Sequence, residues 1–235
     1  AAQATFAGGR KDMYPQLKRR LAPPQALVSL RDVAEPPGIR ENRDGGLTIG
    51  AMTTLRQLIL ERSVAEGYPA LREAANLVAT PQIRAMATVG GNLCSDTRCN
   101  YYDQSYLWRR AVDFCLKKDG DICRVAPGSP RCWAVSSSDL APVCVALGAR
   151  VRLVSRRGER TTPIRDFFRD DGITHLDKAP DEILAEVILP PPDGLLSTYL
   201  KLRRRGATDF PALGMAVAVR IDAHHRCESI RVVVG

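Results

Sequence analysis

The sequence predicts an α+β fold in which a small α/β unit and a β-rich unit flank a long polar segment. Three observations lead there. Residues 1–87 alternate short apolar runs with helical patterns, and residues 140–235 return to strand-like runs. Between them, from Cys94 to about Ser138, periodicity vanishes. That stretch opens directly after Thr88-Val89-Gly90-Gly91-Asn92 and holds five of the seven cysteines.

In chain order, Ala26 to Leu30 and Leu47 to Ala51 read as strands bounded by Pro and Gly. Leu55, Leu58, Ile59, Leu60 and Val64 give a helical period to about Ala65, with Thr54 as its N-cap. A second helix runs from Pro69 to Ala79, with Pro in its opening turn and Leu71, Ala74, Ala75 and Val78 on one face. Leu140 to Leu147 forms a short apolar helix with Cys144 on its apolar face as a core filler. Val151 and Leu153 then alternate with arginines, and Arg156-Arg157-Gly158 makes a turn before Ile164, Phe167 and Phe168. Glu182 to Leu189, Tyr199 to Arg203, Gly214 to Ile221 and Ile230 to Val234 complete the β-rich unit. There is no internal repeat.

Composition sets the class. Hydrophobic residues at 45% and charged residues at 26% are ordinary for a globular protein. No apolar run is long enough to cross a bilayer, so a cytoplasmic protein without a membrane partner is expected. The odd, clustered cysteines argue against a disulfide framework. A net charge of +8 raises the question of nucleic acid. The basic clumps Lys18-Arg19-Arg20, Arg156-Arg157 and Arg203-Arg204-Arg205 lie far apart in the chain, however, and no aromatic-interleaved module accompanies them. Solvated faces or subunit contacts are the expectation, with no nucleic-acid partner.

The chemistry-bearing residues are the thiols and the glycines. Cys99, Cys115, Cys123 and Cys132 are separated by 15, 7 and 8 residues. Four thiolates suffice for a tetrahedral zinc or a four-iron cluster. The absence of close cysteine pairs favours the bulkier cluster, while zinc and incidental thiols stay open. A loop of this length needs something to order it. Cys94 abuts the glycine turn and is expected to pack beside whatever that turn binds. Cys227, beside His224 and His225, is a weak metal site, because adjacent residues on a strand face opposite ways. The turns Ala7-Gly8-Gly9 and Val89-Gly90-Gly91-Asn92 are candidate anion nests, and neither matches the dinucleotide fingerprint. His175, Asp139 and Asp209 stand without evident partners, and no nucleophile–base arrangement emerges.

These residues carry a resemblance. Ala7-Gly8-Gly9, Ala87-Thr88-Val89-Gly90-Gly91-Asn92-Leu93, Ser138-Asp139-Leu140-Ala141-Pro142, Lys201-Leu202-Arg203-Arg204-Arg205 and Asp209-Phe210-Pro211 resemble, in order and spacing, the flavin-binding subunits of the molybdenum hydroxylase (xanthine dehydrogenase) family. The cysteine-bearing stretch between Gly-Gly-Asn and Ser-Asp resembles the inserted loop of 4-hydroxybenzoyl-CoA reductase β subunits, which holds a [4Fe–4S] cluster.

The resemblance implies a two-subdomain FAD-binding fold of the PCMH/vanillyl-alcohol-oxidase type with an inserted cysteine-rich loop. Residues 1–87 would form the first FAD-binding subdomain, incomplete at its start. Residues 88–190 would form the second, with the iron–sulfur loop at 94–138. Residues 191–235 would end the FAD domain and begin a truncated C-terminal domain. The implied cluster ligands are Cys99, Cys115, Cys123 and Cys132. The implied FAD contacts are Ala7, Gly8, Gly9, Arg10, Asp12, Thr88, Gly90, Gly91 and Asn92 about the pyrophosphate, Asp139 on a polar group, and Leu184 and Lys201 near the isoalloxazine. Arg10-Lys11-Asp12 departs from the family's usual Gly-Gly-Thr-Asp sequence. The implied function is an oxidoreductase subunit passing electrons between a ferredoxin-type donor, [4Fe–4S] and FAD. Its partners would be a molybdopterin-binding large subunit, where an aryl-CoA is reductively dehydroxylated, and a [2Fe–2S] small subunit. Residues of the substrate step would therefore lie off this chain. The alternatives are a flavin subunit of an ordinary hydroxylase without a cluster, and a zinc-stabilised nucleic-acid-binding module.

Overall fold

The computed structural model describes residues 4–9, 13–19, 21, 24–31 and 38–235. The first strand, β1 (Ala4–Ala7), pairs in parallel with β2 (Ala26–Ser29) across α1 (Met13–Lys18). Next come β3 (Ile39–Glu41) and β4 (Leu47–Gly50), a hairpin whose turn uses Gly45 at φ +84°. Four short helices follow: α2 (Leu55–Leu60), α3 (Arg62–Gly67), α4 (Pro69–Leu77) and α5 (Pro81–Arg84). Then come α6 (Val89–Leu93), α7 (Tyr106–Ala111) and α8 (Leu140–Ala146). The hairpin β5 (Arg150–Ser155) and β6 (Gly158–Pro163), α9 (Ile164–Phe167) and β7 (Ile183–Leu189) lead to β8 (Leu196–Leu202), β9 (Leu213–Ile221) and β10 (Cys227–Val234).

Two larger sheets organise these elements. One is antiparallel, in the order β3-β4-β7-β5-β6, and the other is an antiparallel β10-β9-β8 meander. The first takes strands from both sides of the boundary expected at residue 87. Hydrophobic alternation explains its register: Val151 and Leu153 are fully buried, while Arg152 turns outward to Glu186 (2.7 Å) and Glu159 (2.8 Å). One continuous core joins β4, α2, α4, α6, α8 and β7 to the inner face of β8 and β9. Each fully buried Leu there contributes roughly 1.5–3 kcal/mol.

Two local expectations are corrected. The helix expected over Leu55 to Ala65 breaks at Glu61, which is extended (ψ 124°). Leu55 and Leu58 are buried whereas Leu60 is 72% exposed, so the chain must re-aim to bury Val64. Thr54 does cap α2, as one half of a capping box with Gln57. Val89-Gly90-Gly91-Asn92 is likewise the body of α6 and not a turn, capped by Thr88 Oγ1, which accepts from Gly91 N at 3.1 Å.

The cysteine-rich segment is not without structure either. Its ends are closed by a backbone pair, Arg98 N to Val135 O at 2.8 Å and Val135 N to Arg98 O at 2.9 Å. It contains α7, capped by Ser105, and packs Tyr102 and Cys115 against Leu21 in a small core backed by Cys99 and Tyr101. Among the described residues, no helix is long and apolar enough to cross a membrane.

Candidate functional site

A cleft of about 810 Å³ runs between β1, the α5–α6 region, β7 and the loops at 175–183 and 208–210. Its size suits a large cofactor. The two glycine motifs meet on its wall. A Cβ on Gly9 would lie 2.8 Å from Met86 O and 2.9 Å from Thr88 N, and one on Gly90 would lie 2.7 Å from Ala51 Cβ. Only glycine allows these backbones to approach so closely. The anion-nest expectation for the second motif is corrected, because its N–H groups are already used. Gly90 N donates to Ala51 O (2.8 Å), Gly91 N to Thr88 Oγ1 (3.1 Å) and Asn92 N to Thr88 O (2.9 Å).

Asn92 has a further task. Its Oδ1 accepts from Ser138 Oγ at 2.7 Å and from Leu140 N at 3.2 Å, and Ser138 Oγ accepts from Ala141 N at 3.1 Å. The Gly-Gly-Asn and Ser-Asp motifs are thus tied side chain to backbone, and the tie holds Asp139 at the cleft wall.

Asp139 is not isolated. Its carboxylate accepts from Tyr199 Oη at 2.8 Å and pairs with Lys201 Nζ at 3.0 Å; the Asp139 and Lys201 side chains are only 4% and 1% exposed. Burial raises the Asp139 carboxyl above the ordinary carboxylate range, against the pull of Lys201 and Tyr199. The Tyr199 phenol is raised by burial and by Asp139. Lys201 also donates to Leu77 O at 3.1 Å. Asp139 lines the cleft, whereas Lys201 stands behind it. Ala7, Gly8, Gly9, Thr88, Gly90, Gly91, Asn92 and Leu184 all line the cleft. Arg10 and Asp12 lie outside the described residues. Thr208, Asp209 and Phe210 also line it, and Asp209 has Arg205 at 3.7 Å. His175, another lining residue, places Nε2 3.1 Å from Ser95 O. Neither it nor Phe210 was named as a contact from sequence, although Phe210 sits in a quoted motif.

Cys99, Cys115, Cys123 and Cys132 line one second, small cavity with Tyr101, Tyr102 and Lys117. Three of these thiols are buried and all four are free. Burial would raise the Cys123 thiol, but the backbone N–H groups of Ala126, Trp133 and Val125 outweigh it and hold it below the ordinary range. Ala134 N donates to Cys132 Sγ at 3.4 Å. Among the described residues, no three His, Cys, Asp or Glu side chains are arranged for a single metal ion, including those about Cys227. The four thiols share one cavity and are the donor type of a metal or cluster site, without standing in a single-ion arrangement. Cys94 lines the cleft instead, and burial pushes its thiol up to about 11, away from the thiolate a metal requires. Cys144 sits in the core on α8, pushed up by burial to about 12.

One arginine of each basic clump is ion-paired within the chain. Arg157 pairs with Asp181 at 2.7 Å, Arg19 with Asp103 at 3.8 Å and Arg205 with Asp209 at 3.7 Å.

Known proteins match this architecture. Residues 1–192 fit the family model described as the FAD binding domain in molybdopterin dehydrogenase. The carbon monoxide dehydrogenase medium chain of Afipia carboxidovorans is 32% identical over 218 residues, 92% of this chain and 61% of that protein. The xanthine dehydrogenase FAD-binding subunit of Escherichia coli O157:H7 is 29% identical over 222 residues, 94% of this chain and 62% of that one. The solved cyanide-inactivated Cu,Mo-CO dehydrogenase aligns with TM-score 0.76 at 29% identity, over 99% of this chain and 66% of that one. The chain thus spans about three-fifths of the length of these two curated relatives. With a family model fitted over most of its length, a shared fold and a cleft walled by the paired glycine motifs, the chain belongs to the FAD-binding domains of the molybdopterin dehydrogenases.

Proposed function

We propose that this chain is the electron-transferring flavin and iron–sulfur part of a molybdenum hydroxylase-type complex, of the kind that reductively dehydroxylates an aryl-CoA. FAD would occupy the cleft and a [4Fe–4S] cluster the four-thiol cavity. A molybdopterin-binding large subunit would perform the substrate step, with a [2Fe–2S] small subunit between. A ferredoxin-type carrier would supply electrons. The observation that carries this reading is the convergence of Cys99, Cys115, Cys123 and Cys132 on one cavity beside the flavin cleft. When bound, the cluster would supply single electrons and the flavin would convert between one- and two-electron transfer.

The chain's own residues do the holding. Gly9 and Gly90 let the segments that wall the cleft pack backbone to backbone, Gly8 lines the cleft beside them, and Asn92 fixes Asp139 at the wall. Asp139, backed by Lys201 and Tyr199, would offer its carboxylate to a polar group of FAD, with Leu184 covering apolar ring surface. Backbone N–H donors at Cys123 and Cys132 would delocalise negative charge on thiolates and so favour the reduced cluster.

A second reading, a flavin subunit without a cluster, draws on the gap between the thiols, about 10 Å³, which is room for roughly one water. The zinc-stabilised nucleic-acid module is overturned by the family match. Anaerobic purification with partner subunits, followed by iron and flavin counts, tests the proposal. About four irons and one FAD per chain are expected, and Cys115→Ser or Cys123→Ser should abolish broad visible absorption. Fewer than about two irons, or unchanged spectra in those variants, would favour the cluster-free reading.

A further inference from the structure

The cleft and the thiol cavity share a wall. Asp96 lines the cleft, while Tyr102 and Lys117 line the thiol cavity. The Asp96 carboxylate bonds to both: Lys117 Nζ donates to Oδ1 at 2.8 Å and Tyr102 Oη donates to Oδ2 at 3.0 Å. Gln16 Nε2, another cleft residue, donates to the same Oδ2 at 3.4 Å. The Lys117 side chain is 7% exposed and its ammonium is held from three further directions. It donates to Thr97 Oγ1 (2.7 Å) and to Gly172 O (2.6 Å), and it lies 4.8 Å from the centre of the Tyr102 ring. A fixed, desolvated cation therefore faces the thiols, and its counter-ion faces the cleft.

We propose that the Lys117–Asp96 pair is a positioning and tuning bridge between the two redox sites. Lys117 raises the reduction potential of the group held by the thiols, and Asp96 sets how much of that charge is felt. A buried cation favours whichever state carries one more electron, and a carboxylate at 2.8 Å cancels part of the effect. The same three side chains form a hydrogen-bonded crossing, so the electron path from thiols to cleft passes Tyr102, Lys117 and Asp96. Each transfer oxidises the thiol-held group by one electron and reduces the flavin by one. Two transfers, with two protons from solvent, complete the flavin's reduction, and a low-potential one-electron carrier replenishes the group. The inference rests on the function proposed above.

The test is a pair of variants in the intact, iron- and flavin-loaded complex, read by redox titration of the thiol-held group. Lys117→Met should lower its potential and Asp96→Asn should raise it. Each should shift the electron-transfer equilibrium at least tenfold, 59 mV for one electron. Opposite signs are the signature, since loosening a scaffold would move both variants the same way. Iron retained with shifts below tenfold, or of one sign, overturns the bridge and leaves the proposed function standing. No iron in the unsubstituted protein overturns both. If Lys117→Met loses its iron, Asp96→Asn decides alone, because Asp96 lies outside the thiol cavity. Loss of iron from Asp96→Asn as well would make the pair a scaffold and overturn the proposal.

Discussion

Replacing Lys201 with methionine isolates the most deeply buried charge beside the cleft. Methionine keeps an unbranched stem and deletes the ammonium that sits 3.0 Å from Asp139 Oδ2 and 3.1 Å from Leu77 O. Removing one partner of a buried ion pair costs about 3–5 kcal/mol, because the remaining charge is uncompensated. Tyr199 Oη at 2.8 Å compensates only in part. Asp139 can escape by taking up a proton, and this fixes the pH dependence. Burial already raises its carboxyl, and Lys201 is the foremost group holding it down, so the variant raises it further. A carboxyl with a raised folded value loses stability as pH climbs from the unfolded value near 3.9 to the folded one, at about 1.4 kcal/mol per unit, and is constant above it. Urea unfolding of flavin-free protein at pH 5 and pH 8 measures this. Lys201→Met should lose about 3–5 kcal/mol at pH 8 and distinctly less at pH 5, and adding Asp139→Asn should recover most of the deficit at pH 8. A loss below about 1 kcal/mol at pH 8, or one that is equal at both pH values and unrelieved in the double variant, would refute the reasoning.

Two further outcomes follow from the same geometry. Gly90→Ala places a methyl 2.7 Å from Ala51 Cβ and 3.1 Å from Ala51 O, so α6 must move off β4. This should cost about 1–3 kcal/mol and weaken FAD binding, measured by flavin fluorescence on titration; unaltered affinity and melting temperature would contradict it. Glu182 accepts from Arg160 at 2.7 and 3.0 Å and from Ala179 N at 2.7 Å, and the Arg160 contact chiefly holds its carboxyl down to about 2. That stability is complete above pH ~4.5 and is lost as pH falls toward about 2. With Arg160 41% exposed, the amount is about 1–2 kcal/mol after screening, and Glu182→Gln should remove this slope from an acid-unfolding curve.

The sequence alone determined what depends on neighbours along the chain. Thr54 and Pro69 marked helix starts, Val151 and Leu153 marked a one-faced strand, and Cys144 read as core; each is governed by a period of two or 3.6 or by a cap within one turn. The ordered motifs from Gly8-Gly9 to Asp209-Phe210 carried the family resemblance that the comparisons bear out. Only the tertiary structure decided what those residues touch. Asp139 looked solitary because its partners, Tyr199 and Lys201, lie 60 and 62 positions away. The second glycine motif looked like a free nest because nothing local shows that Ala51 O and Thr88 already take its N–H groups. The break at Glu61 arose from burial of Val64, which only packing can impose. The wall of Asp96, Lys117 and Tyr102 was invisible for the same reason, since long-range contacts leave no period in a loop. Local chemistry is written in spacing. A site assembled from distant segments exists only once burial and charge have chosen which of them meet.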